Sequence, residues 1–340
     1  MFSWLRLLAS LKLTLVGMVL LGVGAALSYD NPVDVSVWVL VAPLALLALN
    51  LAAAIVTNTR INRQPGLLVF HVCLLATVLL AGVGRLTHLD AHLEITNGQA
   101  FEPALLMDVR RGPWHAGNLD KVAFVQGDFT VEYAAGLKRG LTHSTVYVPE
   151  GGRMREQDVG DDRPLVLERY RFYTTHNKGF SPVLTWMPER GEPVTGRINM
   201  PSYPLFDYKQ NNEWTPPGSE QKIKFWLQLD TGLTVEDAWV LDGRNSSGVL
   251  VVVTDGLRVE LDKGGSVRLK DGELRYDDLT TWMGYRVFYD PTLQWLFWVT
   301  VIGVLGLTHY FWTRLNLAPW TDDAPAGDTG EHGRKGQEHE

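Results

Sequence analysis

Of the nine histidines in this 340-residue chain, two stand inside long uncharged stretches. His71 lies near the start of "QPGLLVFHVCLLATVLLAGVG" (64–84), and His309 near the end of "PTLQWLFWVTVIGVLGLTHYFWT" (291–313). An ionisable side chain in so apolar a setting is costly, so it usually faces an interior and has a partner. A neutral imidazole can ligate haem iron axially or hydrogen-bond a second imidazole. Counted from their nearest polar flanks, both lie about 7 Å inward at 1.5 Å per residue. A shared depth leaves three chemistries open: a haem between the two, a direct pair, or a haem shared with a partner subunit. A plainer role for His309 is in an interfacial belt with Tyr310 and Trp312. Asn50 lies a little deeper. Cys73, on nearly the opposite helical face from His71, reads as a small apolar filler.

The other chemistry-bearing residues form weaker patterns. His88 and His92 are four apart and would share a face if the helix of the third stretch continued; an interfacial polar pair is the simpler reading. His115, His143 and His176 are scattered and show no axial-ligand spacing. The single cysteine excludes an internal disulfide, a cysteine zinc site and a CxxCH haem-attachment motif. No GxSxG elbow, P-loop or dinucleotide-binding glycine pattern occurs. The acidic pairs at Gly160–Asp162 and Tyr276–Asp278 read as surface turns. Trp186, Trp214, Trp226, Trp239 and Trp282 read as core or interface aromatics. A net charge of −7 does not suggest a nucleic-acid partner.

The elements that must position His71 and His309 are membrane spans. A spanning helix needs about 20 largely apolar residues. Four stretches qualify, at about 11–29, 35–57, 65–85 and 291–313. A cleaved signal peptide is the alternative for the first, but a second span follows within a few residues. Arg6 and Lys12 precede the first span, Arg60 and Arg63 separate the second from the third, and Arg314 follows the fourth. The loop "YDNPVD" carries two Asp and no Lys or Arg. The positive-inside rule then puts both termini in the cytoplasm and the region 87–289 outside it. The tail, 314–340, is polar and expected to be disordered.

The region 87–289 reads as all-β. "DFTVEYAAG", "LTHSTVYVPEGG", "RPLVLERYRFYTTH", "QKIKFWLQLD", "SSGVLVVVTDG" and "LRVELDKGGSVRL" are runs rich in Val, Thr, Tyr and Phe, parted by Gly, Asp and Pro. "DKGG" and "KDGE" look like hairpin turns. "NMPSYPLFDYKQNNEWTPPGSE" reads as a loop. A sandwich or open barrel of about ten strands is expected. The fold class is therefore a polytopic membrane protein: four transmembrane helices, with an all-β extracytoplasmic domain between the third and fourth.

Four stretches resemble the ResB (CcsB) family of system II cytochrome c biogenesis. "LASLKLTLVGMVLLGVG" is similar to its Ser-Leu-Lys/Arg opening of span one, and "FHVCLLATVLLAGVGRL" to its third span, which begins Phe-His. "RPLVLERYRFYTT" resembles its Tyr-x-Phe-Tyr strand. "MGYRVFYDPTLQWLFWVTVIGVLGL" resembles its Tyr-Asp-Pro entry to the last span. Family members are often longer between spans three and four, so the domain here is short.

The resemblance implies a subunit of a cytochrome c haem lyase (synthetase) complex in the cell inner membrane, non-catalytic or co-catalytic. With a CcsA-type haem-handling membrane partner, it would move haem b across the membrane and present it to apocytochrome c. The third-span histidine of the family is a ligand to haem iron and falls on His71. The family gives no assignment to His309. Arg60 and Arg63 could meet haem propionates, although topology alone also explains them. Two other readings stand beside this one. The first is a b-type electron-transfer subunit holding haem between His71 and His309. The second is a membrane-anchored apocytochrome scaffold without haem.

Overall fold

The computed structural model describes residues 3–30, 35–230, 235–254 and 256–315. The tail beyond 315, expected to be disordered, lies outside them. Four helices are long and apolar enough to cross a membrane: α2 (Leu11–Asp30), α3 (Trp38–Thr57), α5 (Pro65–Thr87) and α6 (Leu293–Leu315). Two short helices, α1 (Ser3–Leu8) and α4 (Thr59–Asn62), precede α2 and α5.

The sequence marks the ends of these helices. Ser10 interrupts the chain between α1 and α2, and its Oγ accepts from the Lys12 N–H at 3.3 Å. Buried Asn50 of α3 closes the break. Its amide donates to the carbonyls of Leu8 and Ser10, and its oxygen accepts from Thr14. Asn50 is therefore a clamp between the first two spans. Pro65 starts α5, where its missing N–H costs nothing. Asp290 opens α6, accepting from the Thr292 N–H at 2.8 Å and the Thr292 hydroxyl at 2.7 Å. The Asp-Pro-Thr entry is thus a helix cap.

The four long helices pack as successive neighbours, α2 on α3, α3 on α5 and α5 on α6. Glycine sets the closest of these contacts. A Cβ on Gly66 would lie 2.6 Å from the Gly306 carbonyl oxygen, and one on Gly306 would lie 2.8 Å from Val69. Dispersion across such a seam holds helices together where lipid removes the hydrophobic drive.

Between α5 and α6 the described residues form fifteen antiparallel strands in three sheets and no α-helix. They are β1 (Leu89–Thr96), β2 (Leu106–Arg111), β3 (Val125–Ala134), β4 (Lys138–Glu150), β5 (Arg153–Gly160), β6 (Leu165–Leu167), β7 (Tyr170–Pro188), β8 (Val194–Arg197), β9 (Asn211–Trp214), β10 (Ile223–Leu229), β11 (Trp239–Asp242), β12 (Gly248–Thr254), β13 (Leu257–Leu261), β14 (Ser266–Leu269) and β15 (Gly272–Tyr289). The seven-stranded sheet runs β2-β1-β15-β7-β6, with β14 also on β15 and β8 also on β7. The two four-stranded sheets run β13-β12-β10-β9 and β11-β3-β4-β5.

The core lies between the sheets. It includes the aromatic cluster Phe101, Phe124 and Phe172, the Trp186–Trp214 edge contact, and the wholly buried Leu93, Ile95 and Val287. Each such side chain contributes roughly 1.5–3 kcal/mol through removal from water. A buried polar network stitches two sheets. Tyr285 Oη donates to Gln126 Oε1 at 2.8 Å and lies 2.6 Å from Ser144 Oγ, while Gln126 Nε2 donates to the same Ser144 oxygen.

Several sequence expectations need correction. The strands outnumber the expected ten, because short edge strands such as β8, β9 and β11 carry little pattern of their own. The run "RPLVLERYRFYTTH" is two strands, since Glu168 and Arg169 both take positive φ (50° and 71°) and turn the chain between Leu167 and Tyr170. That is the primed geometry a two-residue hairpin needs, reached here without the usual Asn-Gly. "DKGG" is not a hairpin, because it carries the chain from β13 in one sheet to β14 in another, whereas "KDGE" is one. The Asn- and Pro-rich loop contains β9 on an edge. Tyr276–Asp278 lies within β15 at a register shift, not in a turn.

Candidate functional site

His71 sits on the second turn of α5, half-buried, with Phe70 edge-on at 5.4 Å. Its Nδ1 is 2.7 Å from the carbonyl oxygen of Leu67, one turn back. A carbonyl only accepts, so Nδ1 carries the proton and donates it. Nε2 is then left with a bare lone pair, and no described residue hydrogen-bonds to it. This is the arrangement of metal-bound imidazoles: the far nitrogen donates to a carbonyl, which fixes tautomer and ring orientation and raises ligand basicity. The residues present therefore fit an axial position on haem iron.

His309 is elsewhere. It is exposed on α6, level with Gly66: a Cβ on that glycine would lie 3.0 Å from His309 Nδ1. Down the seam, Val69 meets Gly306 and Cys73 meets Gly303, so α5 and α6 run antiparallel. His71 is five residues beyond Gly66, roughly 7 Å further along the axis at 1.5 Å per residue. The expected common depth is not found, because α6 runs on past the first turn of α5. The two imidazoles are also on different faces. At 100° per residue, His71 is turned about 140–160° from Gly66, Val69 and Cys73, which face α6. The structure does not bring His71 and His309 together. Cys73 does lie opposite His71, packed on Gly303 as a filler.

Arg63 falls on the His309 side. A cleft at this end of the α5–α6 seam is lined by Arg63, Gln64, Gly66, His309, Tyr310 and Arg314. Sequence reasoning missed it. The available signal was glycine at Gly66, Gly303 and Gly306, which lets two helix backbones approach and leaves room beside them.

At the opposite end α5 is fixed to the β domain. Gly84 packs against the Asp290 carboxylate and Thr292. Gly112 lies so close to α5 that a Cβ there would be 2.2 Å from the Leu86 carbonyl oxygen, and the Trp114 N–H donates to that oxygen at 2.8 Å. His115 Nδ1–H donates to the Thr87 carbonyl at 2.9 Å, and Nε2 accepts from the Tyr170 hydroxyl at 2.8 Å. Burial pushes the Tyr170 phenol up to about 12, so it stays a donor. His115 is thus a structural hinge pin.

Among the described residues the remaining histidines are surface or capping residues. α5 ends at Thr87, and His88 closes it, with its Nδ1 on the Arg85 carbonyl at 2.9 Å. His92 lies in β1, 3.6 Å from Asp108, so His88 and His92 share no helix face. His143 pairs with Asp158 at 3.0 Å. His176 is exposed in β7, where Thr175, His176 and Asn177 bulge opposite Gly284. Among the described residues no three His, Cys, Asp or Glu side chains cluster as a metal site.

No protein-family model matches the chain, and no curated protein matches it. Among solved structures it is similar to one described as "Cytochrome c Heme Lyase CcmF", at 14% identity and a TM-score of 0.28. The alignment covers 89% of this chain and 35% of that one, so the chain spans about a third of that protein's length. So loose a likeness carries no argument about chemistry.

Proposed function

We propose that this chain is a membrane subunit of cytochrome c biogenesis. Its four apolar helices cross the cell inner membrane, with both termini cytoplasmic and the β domain outside. With a CcsA-type partner it moves haem b across the membrane and presents it to apocytochrome c. The observation that carries the reading is the His71 imidazole: tautomer fixed by the Leu67 carbonyl, Nε2 unengaged, in the inner half of an apolar helix. The residue-level resemblance of four stretches to the ResB family supports it. The reading of a resident haem between His71 and His309 gains nothing from the geometry, since His71 is turned away from α6 and lies more than a helical turn beyond Gly66, where His309 sits.

Haem is the cargo, and this chain's part is to offer one imidazole and an apolar wall. The second axial ligand belongs to the partner. The α5–α6 pair is open to it, because few α5 residues other than Gly66, Gly84 and Leu86 are buried within the chain.

His71→Ala in the complex tests the reading. Haem co-purifying with the complex should fall severalfold and cytochrome c maturation should stop, with membrane insertion unchanged. Added imidazole should restore part of both. Full haem and full maturation in the variant would end the ligand assignment. Topology is tested separately. A reporter active only outside the cytoplasm should work when fused within 100–285 and fail after Trp320; activity at the tail would overturn the four-span arrangement.

A further inference from the structure

We infer that the cleft at the inner end of the α5–α6 seam binds the phosphate of an anionic lipid headgroup. The inference rests on the reading that these helices cross a membrane, not on haem transport. The cleft encloses about 360 Å³. Two guanidinium groups line it, Arg63 from the link between α4 and α5 and Arg314 from the last turn of α6, and His309 and Tyr310 add donors. Neither arginine has a carboxylate partner among the described residues. The Arg314 guanidinium lies over the Tyr310 ring, 5.4 Å from its centroid, which limits where that charge can go. Gly66 lines the cleft, and a side chain there would strike α6 at the Gly306 carbonyl and the Tyr310 N–H.

The position selects the ligand. The cleft lies at the last turn of one apolar helix and the first of another, level with where headgroups sit. Beside it the α5 and α6 surfaces are apolar and exposed: Val69, Ile302 and Leu305 are 38%, 50% and 63% accessible. A diacyl phospholipid can place its phosphate between the arginines and its chains along those side chains. Guanidinium matches a phosphate's paired oxygens, and basic pockets between spans on the cytoplasmic side take such headgroups. His309, which the haem reading leaves unassigned, acquires a role as a donor to the phosphate.

The test is native mass spectrometry of the full chain released from nanodiscs of mixed phosphatidylglycerol and phosphatidylcholine. The wild type should retain one phosphatidylglycerol per chain, preferred over phosphatidylcholine on the order of tenfold. Arg63→Gln/Arg314→Gln should lose the preference. Arg63→Lys/Arg314→Lys should keep part of it, which excludes loss of fold as the cause. Inorganic phosphate at millimolar concentration should weaken retention without abolishing it. Equal retention of both lipids by the wild type, or an undiminished preference in the glutamine variant, would overturn the inference. So would complete displacement by inorganic phosphate, since the occupant would then be a free anion. Haem content, measured in parallel, should be untouched by Arg314→Gln alone, while its lipid preference falls. Haem loss in His71→Ala with the phosphatidylglycerol preference intact keeps the two proposals separable.

Discussion

The β domain and the row of helices solve opposite problems. In the β domain nearly every strand turns one face into a shared core, and the Tyr285–Gln126–Ser144 network pairs buried polar groups across two sheets. The helices form contacts only along narrow seams and leave Leu15, Val19, Leu79, Trp298 and Leu305 exposed. The first region is complete by itself. The second leaves apolar faces that lipid and a partner would cover in the proposed reading, and that is where the unengaged imidazole of His71 lies. The proposed function sits where the chain's own packing stops.

The largest effect should come from cutting the two regions apart. A fragment spanning 88–289 should be soluble, give a β-type circular dichroism spectrum and melt cooperatively, whereas a fragment of residues 1–87 should need detergent. A helical or aggregated 88–289 fragment would break the comparison.

A smaller loss should follow from Asp90, where the two regions meet. This largely buried carboxylate takes Arg286 through Nε and Nη2 at 3.0 and 2.8 Å, and Arg110 at 2.9 Å. Burial alone would raise its pKa; the hydrogen bonds and charge of Arg286, with Arg110, outweigh that and hold it below the usual carboxylate value. Asp90→Ala should cost about 2–3 kcal/mol, because charge-assisted hydrogen bonds to two arginines are lost while the partly exposed guanidinium groups return to water. A folded pKa below the unfolded one means the contribution is present above the unfolded carboxylate range. It should be lost as pH falls through the folded value. Equal acid stability of wild type and variant would refute the assignment.

Legibility followed the same divide. Apolar length and the Lys/Arg pattern marked all four long helices to within about three residues, because lipid imposes one strong constraint on a span. The expected strand segments mostly appeared, but their partners did not, since pairing depends on contacts far apart in sequence. Nothing in "DKGG" tells that it changes sheets, and Glu168–Arg169 is a turn only because β6 and β7 hold it there. His71 could be singled out by its setting. Its facing could not, because the face of α5 given to α6 is decided by Gly66, Gly84 and Gly306, small residues whose meaning appears only once the two helices are side by side.

Removing one hydroxyl from the buried network sharpens the picture of a self-sufficient domain. Tyr285→Phe should cost about 1–2 kcal/mol. Gln126 and Ser144 keep their mutual bond, so the loss should stay below that of Asp90→Ala. A loss equal to or above that at Asp90 would mean that the inter-sheet network, not the junction, dominates stability.

The smallest effect belongs to Lys178, the least comfortable residue of the β core. It is 1% exposed, its ammonium reaches only the His176 carbonyl at 3.4 Å, and it lies 5.6 Å from the centre of the Tyr133 ring. Burial, with Arg139 adding repulsion and Asp161 offsetting part of it, pulls its pKa down to about 8. In the unfolded chain it returns to the ordinary lysine range, so between about pH 8 and that range the unfolded state holds more protons than the folded one. Stability then rises with pH across that window, because the buried cation has been discharged. Between pH 7.5 and 9.5 the melting temperature of the 88–289 fragment should gain about 2–4 °C from this group. Lys178→Met should remove that gain and melt higher than the wild type at pH 7.5. A variant that melts lower at pH 7.5, with the wild-type slope intact, would show that the ammonium is stabilised in place and that the core tolerates its charge.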